Sequence, residues 1–478
     1  MADVGSAGAT KLVARGYGWT HAGRRAPALA DIDLVVSPGE KVLLCGDSGS
    51  GKSTLLAAIA GVLGGDDEGT RVGEILLEDA SGHVEPPGRT IPVGLVLQDP
   101  DSQVIAACMG DDVAFGCENL AYPRSEIWQR VSAALSMVGP SVDLSFPTEQ
   151  LSGGQKQRLA LAGVIAMGAG MVLLDEPTAN LDPEGAREVI EAVTTMVERT
   201  GATLIVVEHQ HAAWKGVLDR AIELKDGRIV ADGPLESVVA SRSISGLPRA
   251  REIGGTSPSN TGAVLDSAAL WSTDLVTRFG PPRSYVLPRG MSTVITGPNG
   301  AGKTTWLMTV AGLLPAVSGE IGVAEYVRRG LTGSPLTWKS RELADRIGFV
   351  FQNPEHQFVA RTVAEELRVA PRVMHREVPE ARIAELVEAL RLGHVLNANP
   401  FTLSGGEKRR LSVATALVTA PEVLLLDEPT FGQDPHTFTE LVWLLRRMAD
   451  EGTTIASVTH DPLFISALGD HRVEVSRG

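Results

Sequence analysis

The stretches GDSGSGKS at 46–53 and GPNGAGKT at 297–304 decide the fold. Each is a glycine-rich loop ending in Lys and a hydroxyl residue, set between an apolar run (KVLLC, STVIT) and a helical pattern (STLLAAIAG, TTWLMTVAG). Each copy is followed, in the same order, by a Gln, an LSGG tetrad, an apolar run ending in Asp-Glu-Pro-Thr, and a His. The spacing is 251 residues between Lys52 and Lys303, and 252 both between Ser152 and Ser404 and between Asp175 and Asp427. A register held this closely marks the tandem duplication of one domain.

The loop chemistry follows from the residue types. Gly46, Gly49 and Gly51, with Gly297, Gly300 and Gly302, let the chain wrap a phosphate with its backbone N–H groups. Asp47, Ser48 and Ser50 complete the first cradle, and Pro298, Asn299 and Ala301 the second. Lys52 and Lys303 add a point charge on β- and γ-phosphates, and the following helix, opening with Thr54 or Thr305, adds its dipole. Ser53 and Thr304 supply a hydroxyl to Mg²⁺. Asp175 and Asp427 end apolar strands, which puts a carboxylate at a strand tip within reach of the same ion. Glu176 and Glu428, one residue further on, suit a base that orients an attacking water.

Composition limits the alternatives. With 478 residues, 43% of them apolar, the chain can bury two medium cores. A formal charge of −15 opposes a surface that tracks phosphodiester backbone, so nucleic acid is not the expected partner. Cys45, Cys108 and Cys117 form no CxxC pair and are expected as reduced thiols. The longest apolar stretch, at 159–174, is shorter than the ~18 to 20 residues that cross a bilayer, and glycines break it. It reads as a helix end, a turn and a buried strand. MADVGSAGATK carries no secretory pattern, so the expected placement is inside the cell.

Two domains are expected at 1–243 and 263–478, joined by a Gly/Ser/Pro-rich flexible linker at 244–262. Runs such as KVLLCG, MVLLDE, EVLLLDE and TLIVVEH read as strands buried on both faces. REVIEAVTTMVERTG and ARIAELVEALRLG read as amphipathic helices. The fold class is therefore α/β, with mostly parallel sheets covered by helices. Residues 101–163 and 355–415 are helical in pattern and predict a separate lobe in each repeat, and Asp226-Gly227 predicts a hairpin turn.

At LSGGQKQR (151–158) and LSGGEKRR (403–410) the chain resembles the ATP-binding cassette (ABC) ATPases over nearly its whole length. The resemblance implies tandem P-loop NTPase cassettes, each with a parallel core, an antiparallel β part and a helical lobe, that hydrolyse ATP with Mg²⁺. It implies that Ser152, Gly153 and Gly154 meet the γ-phosphate held by Lys303, and Ser404, Gly405 and Gly406 the one held by Lys52. It makes Gln98 and Gln352 the Q-loop residues, which touch Mg²⁺ and water, and His209 and His460 the switch histidines. Trp19 resembles the aromatic that stacks on adenine, with Phe279 a weaker counterpart. His83, His211, His394 and His471 read as ordinary surface residues.

The segments LVLQDPDSQVIAACMGDDVAFGCENL and FVFQNPEHQFVARTVAEEL are similar to those of energy-coupling factor (ECF) transporter ATPases and their cobalt and nickel relatives. That likeness implies a separate membrane coupling (T) subunit, a substrate-binding (S) subunit, uptake of a vitamin or metal ion, and a place on the cytoplasmic face of the membrane. The fused form resembles the ATPases of thiamine-precursor uptake. A rival reading is a tandem cassette acting on the ribosome, but such proteins join their cassettes with a long charged helical linker. Two departures stand out, TFGQD with Gln433 in place of Leu, and VEHQ in place of THD. Both suggest that the two sites turn over unequally.

Overall fold

The computed structural model describes residues 8–24, 26–47, 49–64, 68–139, 143–179, 181–208, 211–240, 246–251, 267–278, 280–430, 433 and 435–476. The chain divides into two compact units, Met1–Ser243 and Ile244–Gly478.

In the first unit the order is β1 (Lys11–His21), β2 (Leu29–Val36), β3 (Lys41–Gly46), α1 (Lys52–Ala60), β4 (Gly69–Glu78), β5 (Val84–Glu85) and β6 (Val93–Val96). The helices α2 (Met109–Asn119), α3 (Arg124–Val138) and α4 (Gly153–Met167) follow. Then come β7 (Met171–Asp175), α5 (Pro183–Thr200), β8 (Thr203–Val207), β9 (Arg220–Lys225), β10 (Arg228–Pro234) and α6 (Leu235–Ala240). The second unit runs β11 (Ala268–Val276), β12 (Val286–Pro288), β13 (Ser292–Thr296), α7 (Lys303–Val310), β14 (Ser318–Val323), α8 (Glu325–Arg328), α9 (Ser340–Ala344) and β15 (Ile347–Val350). Its lobe is α10 (Val363–Val373), α11 (Glu380–Ala389) and the start of α12 (Gly405–Val418). It closes with β16 (Val423–Asp427), α13 (Pro435–Asp450), β17 (Thr454–Val458), α14 (Pro462–Leu468) and β18 (His471–Glu474).

Each unit has one antiparallel sheet, β2-β1-β4-β5 or β12-β11-β14, and one core sheet. The core sheets are ordered β10-β9-β3-β8-β7-β6 and β15-β16-β17-β13-β18, with every pair parallel except β10 against β9. The expected α/β class with a parallel core, an antiparallel part and a helical lobe is thus what each unit forms.

The core strands are apolar throughout because both faces are covered. Leu43, Val172, Leu174, Leu204 and Val206 point into the cluster shared with α2–α5. Their neighbours Val42, Leu44, Met171, Leu173, Ile205 and Val207 point into the cluster under α1 and the antiparallel sheet. That is the period of two of a strand, realised between two cores. The second unit repeats it, with Val294, Leu424, Leu426 and Ile455 on one side and Ile295, Val423, Leu425, Ala456 and Val458 on the other.

The stretch at 159–174 resolves as expected, with α4 ended by Gly168 in the left-handed region and β7 starting three residues later. Asp226 and Gly227 both have positive φ, 48° and 75°, and turn β9 into β10. The three cysteines are unbridged. Among the described residues no helix is long and apolar enough to cross a membrane.

The expected flexible linker needs a correction at its start. Residues 246–251 are packed on the second unit: Leu247, partly buried, packs against its core, Trp443 Nε1 donates to Gly246 O at 3.1 Å, and Ala250 N donates to Ser466 O at 3.0 Å. Arg251 N donates to Asp470 Oδ1 at 2.7 Å. Composition registered the Gly, Ser and Pro of this stretch, but not the hydrogen bonds and the apolar anchor that offset the entropy of ordering it.

Candidate active sites

In each core sheet the strand carrying the glycine loop and the strand ending in Asp-Glu flank a third. The orders are β3-β8-β7 and β13-β17-β16, so loop, carboxylates and the residues after the middle strand meet at the C-terminal edge. This is where parallel sheets place their ligands.

The glycines do different work. A Cβ on Gly46 would lie 2.3 Å from Leu224 O, and one on Gly297 2.1 Å from Val475 O, so these positions let the loop lie against the neighbouring strand. Gly49 and Gly300 have φ of 79° and 77° and nothing within 4 Å of a Cβ, so there the left-handed backbone and the open cradle are what glycine provides. Lys52 Nζ donates to Gly46 O and Asp47 O, both at 2.9 Å, and Lys303 Nζ to Gly297 O at 2.5 Å and Pro298 O at 2.9 Å. Each ammonium is thereby held inside its own loop. Neither α1 nor α7 has a side-chain cap or an acidic residue in its first turn, which leaves their N-terminal amides directed at an anion.

The two loops are braced by unlike devices. Gly227 N donates to Ser50 O at 3.1 Å in the first unit. In the second, the equivalent carbonyl, Ala301 O, receives a guanidinium N–H of Arg283, a side chain 4% exposed.

Glu176 and Glu428 stand in the left-handed region, with φ of 48° and 50°, and their amides donate to Val207 O and Val458 O, both at 2.9 Å. Such backbone is rare for a residue with a Cβ and persists where the surroundings enforce it. Gln98 Nε2 donates to Glu176 Oε2 at 2.8 Å. Glu428 lies 3.9 Å from His460 Nε2. Burial, then the adjacent Asp427 carboxylate, push Glu428 up to about 8, against the pull of Lys303, Arg409 and the Thr459 hydroxyl. In the first unit the residue at the Thr459 position is Glu208, 6% exposed, which accepts from Thr178 Oγ1 at 2.5 Å.

Asp427 is 1% exposed and neither carboxylate oxygen has a donor in good hydrogen-bond geometry. Burial pushes its pKa up, while the Thr304 hydroxyl, Arg409 and Lys303 pull it back. A buried carboxylate short of donors, beside a threonine hydroxyl, fits an oxygen-ligand cation such as Mg²⁺. Among the described residues no group of three His, Cys, Asp or Glu could cage a metal alone. A Mg²⁺ held largely by phosphate and water needs no such cage.

The signature serines each cap a helix. Ser152 caps α4 and Ser404 caps α12, in capping boxes closed by Gln155 and Glu407. Sequence reasoning passed over the residue five positions beyond each serine. Gln157 Nε2 donates to Leu97 O and Gln98 O at 3.2 and 3.4 Å. Arg409 donates to Phe351 O at 2.7 Å, to Gln352 O, and to Asp427 O at 3.5 Å, tying the signature helix to the Q-loop and the carboxylate strand. Burial pushes the Arg409 guanidinium down to about 10, against the Glu428 and Asp427 charges. The signal was present, since both residues sit at one place in the LSGG octets. His394, read as an ordinary surface residue, bonds Glu407 at 2.9 Å.

Trp19 needs a correction. It is 4% exposed, packed in the core under the antiparallel sheet, with its N–H on His21 Nδ1 at 3.1 Å. An adenine platform needs an open ring face, and this indole has none. Ser48, His209 and Phe279 lie outside the described residues, as do Phe431, Gly432 and Asp434 beside the departure at Gln433.

The ABC transporter family model matches the chain twice, over residues 29–179 and 282–431. The YkoD protein of Bacillus subtilis (strain 168), provisionally named an HMP/thiamine import ATP-binding protein, is 34% identical over 93% of this chain and 86% of its own length. BL0043 of Bifidobacterium longum (strain NCC 2705), provisionally named an ABC transporter ATP-binding protein, is 33% identical over 91% of this chain and 61% of its own length. A solved complex of the archaeal ribosomal stalk protein aP1 and ribosome recycling factor aABCE1 is similar in fold, with TM-score 0.61 at 19% identity over 97% of this chain and 87% of that one. The chain belongs to the ABC transporter family and is an ATPase built from two of its cassettes.

Proposed function

We propose that this ATPase is the motor subunit of an ECF-type importer, coupling ATP binding and hydrolysis to uptake of a vitamin or metal ion through separate membrane subunits, one coupling (T) and one substrate-binding (S). It would then work on the cytoplasmic face of the membrane through those partners. The observation that carries this reading is likeness along nearly the full chain, both cassettes included, to a protein named for import. The segment after each Q-loop glutamine supports it. Lys156 pairs with Asp101, and Lys408 with Glu355 at 2.5 Å, so in each unit this segment is fastened to the signature helix. A partner gripping the lobe is thereby mechanically linked to the nucleotide end.

In this reading the amides opening α1 and α7 bind phosphate oxygens and Lys52 and Lys303 add their charge. Ser53, Gln98 and Asp175, and Thr304, Gln352 and Asp427, would hold Mg²⁺, which when bound neutralises phosphate charge. Glu176 and Glu428 orient the attacking water from their enforced left-handed backbone, with His209 and His460 near the γ-phosphate. Ser152 and Ser404 offer hydroxyl and helix-end donors to phosphate. Hydrolysis removes the γ-phosphate contacts, and the Q-loop segments and lobes relax with them.

Affinity purification of the tagged chain from detergent-solubilised membranes of its host tests this reading. Co-purification of hydrophobic subunits with a retained small molecule is the expected result. Recovery of ribosomes, or of no integral membrane protein, would overturn it.

A further inference from the structure

The two signature corners differ in one hydrogen-bonded group. At the second, Ser404 N and Ser404 Oγ both donate to Glu407 Oε2, at 2.9 and 2.7 Å. His394 Nε2 sits 2.9 Å from the other oxygen, Oε1. A carboxylate only accepts, so this ring nitrogen carries the proton. Three donors thus hold one carboxylate whose side chain is 19% exposed. Burial pushes the Glu407 pKa up, but the Ser404 and His394 hydrogen bonds outweigh it and leave the group lowered, hence ionised.

At the first corner the same place belongs to Gln155. Its Oε1 accepts from Ser152 N at 2.8 Å, and its backbone N–H donates to Ser152 Oγ at 3.3 Å. Ser152 Oγ makes no hydrogen bond to the Gln155 side chain, so that hydroxyl proton is not committed within its capping box.

We infer that Glu407 and His394 form a latch on the Ser404 hydroxyl, which makes the second signature corner the weaker phosphate acceptor of the two. A phosphate oxygen reaching Ser404 must take the hydroxyl proton from a carboxylate, and it meets a like charge while doing so. Charge-assisted hydrogen bonds are about twice as strong as neutral ones, so this competition is harder than one with an amide. His394 is a positioning residue: it holds Oε1 and so keeps Oε2 on the serine. The ring also lines a cleft of about 570 Å³ beside Glu388 and Arg391, so the latch can be reached from outside the corner. The inference rests on reading Ser404 as a phosphate-contacting group.

The test compares MgATP KM and kcat of the full chain carrying E407Q, H394A, H394Q, E407Q with H394A, and S404A. E407Q gives the second corner the side chain the first already has, and is expected to lower KM about fivefold, with a smaller change in kcat. H394A is expected to lower KM about twofold on its own and not at all in the E407Q background, while H394Q, which keeps an N–H donor, restores the parent value. An unchanged or raised KM in E407Q, or an H394A effect of equal size in both backgrounds, overturns the latch. S404A separates the two claims. Parent KM and kcat in S404A overturn the phosphate-corner reading, whereas lost hydrolysis in S404A with no coupling between His394 and Glu407 overturns the latch alone.

Discussion

Gln98 donates from Nε2 to Glu176 Oε2 at 2.8 Å, so the residue ending the segment after β6 is fastened to the carboxylate that follows β7. The second cassette is built differently. Gln352 is exposed, and Glu428 faces the Thr459 hydroxyl and His460 instead.

E176Q and E428Q should each lower MgATP turnover, on the order of 10² to 10⁴ for the site concerned, but not equally. Gln98→Ala should cost less in the E176Q background than in E428Q, because the part of its effect that runs through the Glu176 hydrogen bond is already lost in E176Q, leaving only its part in holding Mg²⁺. Single-turnover hydrolysis of the full chain measures both comparisons. Equal losses in the two glutamate variants would reject functional inequality of the sites.

Asp427→Asn should separate stability from activity. The carboxylate is 1% exposed with no well-placed donor, so neutralising it removes a desolvation cost and should stabilise the protein by ~1 to 3 kcal/mol without nucleotide or Mg²⁺. Mg²⁺-dependent hydrolysis should fall at least about 100-fold, since a neutral amide is a poorer ligand for a hard cation. Thermal unfolding in EDTA, alongside hydrolysis in Mg²⁺, checks both. A variant that loses stability would show that Asp427 is satisfied by the protein itself.

Much of this fold was legible because its signals are local. KVLLCG and MVLLD had to be strands buried on both faces, and Gly168 and Gly227 ended or turned elements where glycine is needed. The glycine loops and Asp-Glu pairs were legible too, since their backbone and charge requirements are written in consecutive residues. What escaped depends on residues far apart in the chain. Arg409 meets Phe351 O across 58 positions, and Arg283 meets Ala301 O across 18, and no periodicity marks either pairing. Trp19 was misread for the same reason, because Gly69, Leu29 and their neighbours decide whether an indole face is open.

Arg283→Ala should weaken nucleotide binding in the second cassette. Removing the guanidinium leaves Ala301 O without the donor that Gly227 N provides for Ser50 O in the first. The expected cost is ~1 to 3 kcal/mol, seen as an increase in MgATP KM larger than the fall in kcat. Arg283→Lys should recover part of it. An unchanged KM in R283A would mean that the loop holds its shape without this brace.

Asp470→Asn should release the segment at 246–251. Asp470 is enclosed, with Arg446 Nη1 at 2.8 and 3.0 Å, Arg251 N at 2.7 Å and Ser292 N at 3.3 Å. Arg446 itself is 5% exposed and also meets Asp450 at 3.0 Å, which Arg251 pairs with as well. Losing one charge of a buried pair costs ~3 to 5 kcal/mol because its partner is left uncompensated. The docked segment, held by few other contacts, should open first. Limited trypsin digestion reads this directly, since Arg249 and Arg251 lie within it, and cleavage there should quicken in D470N before the rest of the second unit is attacked. Replacing the pair together, Arg446→Met with Asp470→Leu, should restore the unit's stability but not the protection of Arg251, whose amide would still have lost its acceptor. Restored protection in that double variant would show that apolar packing around Leu247 holds the segment in place.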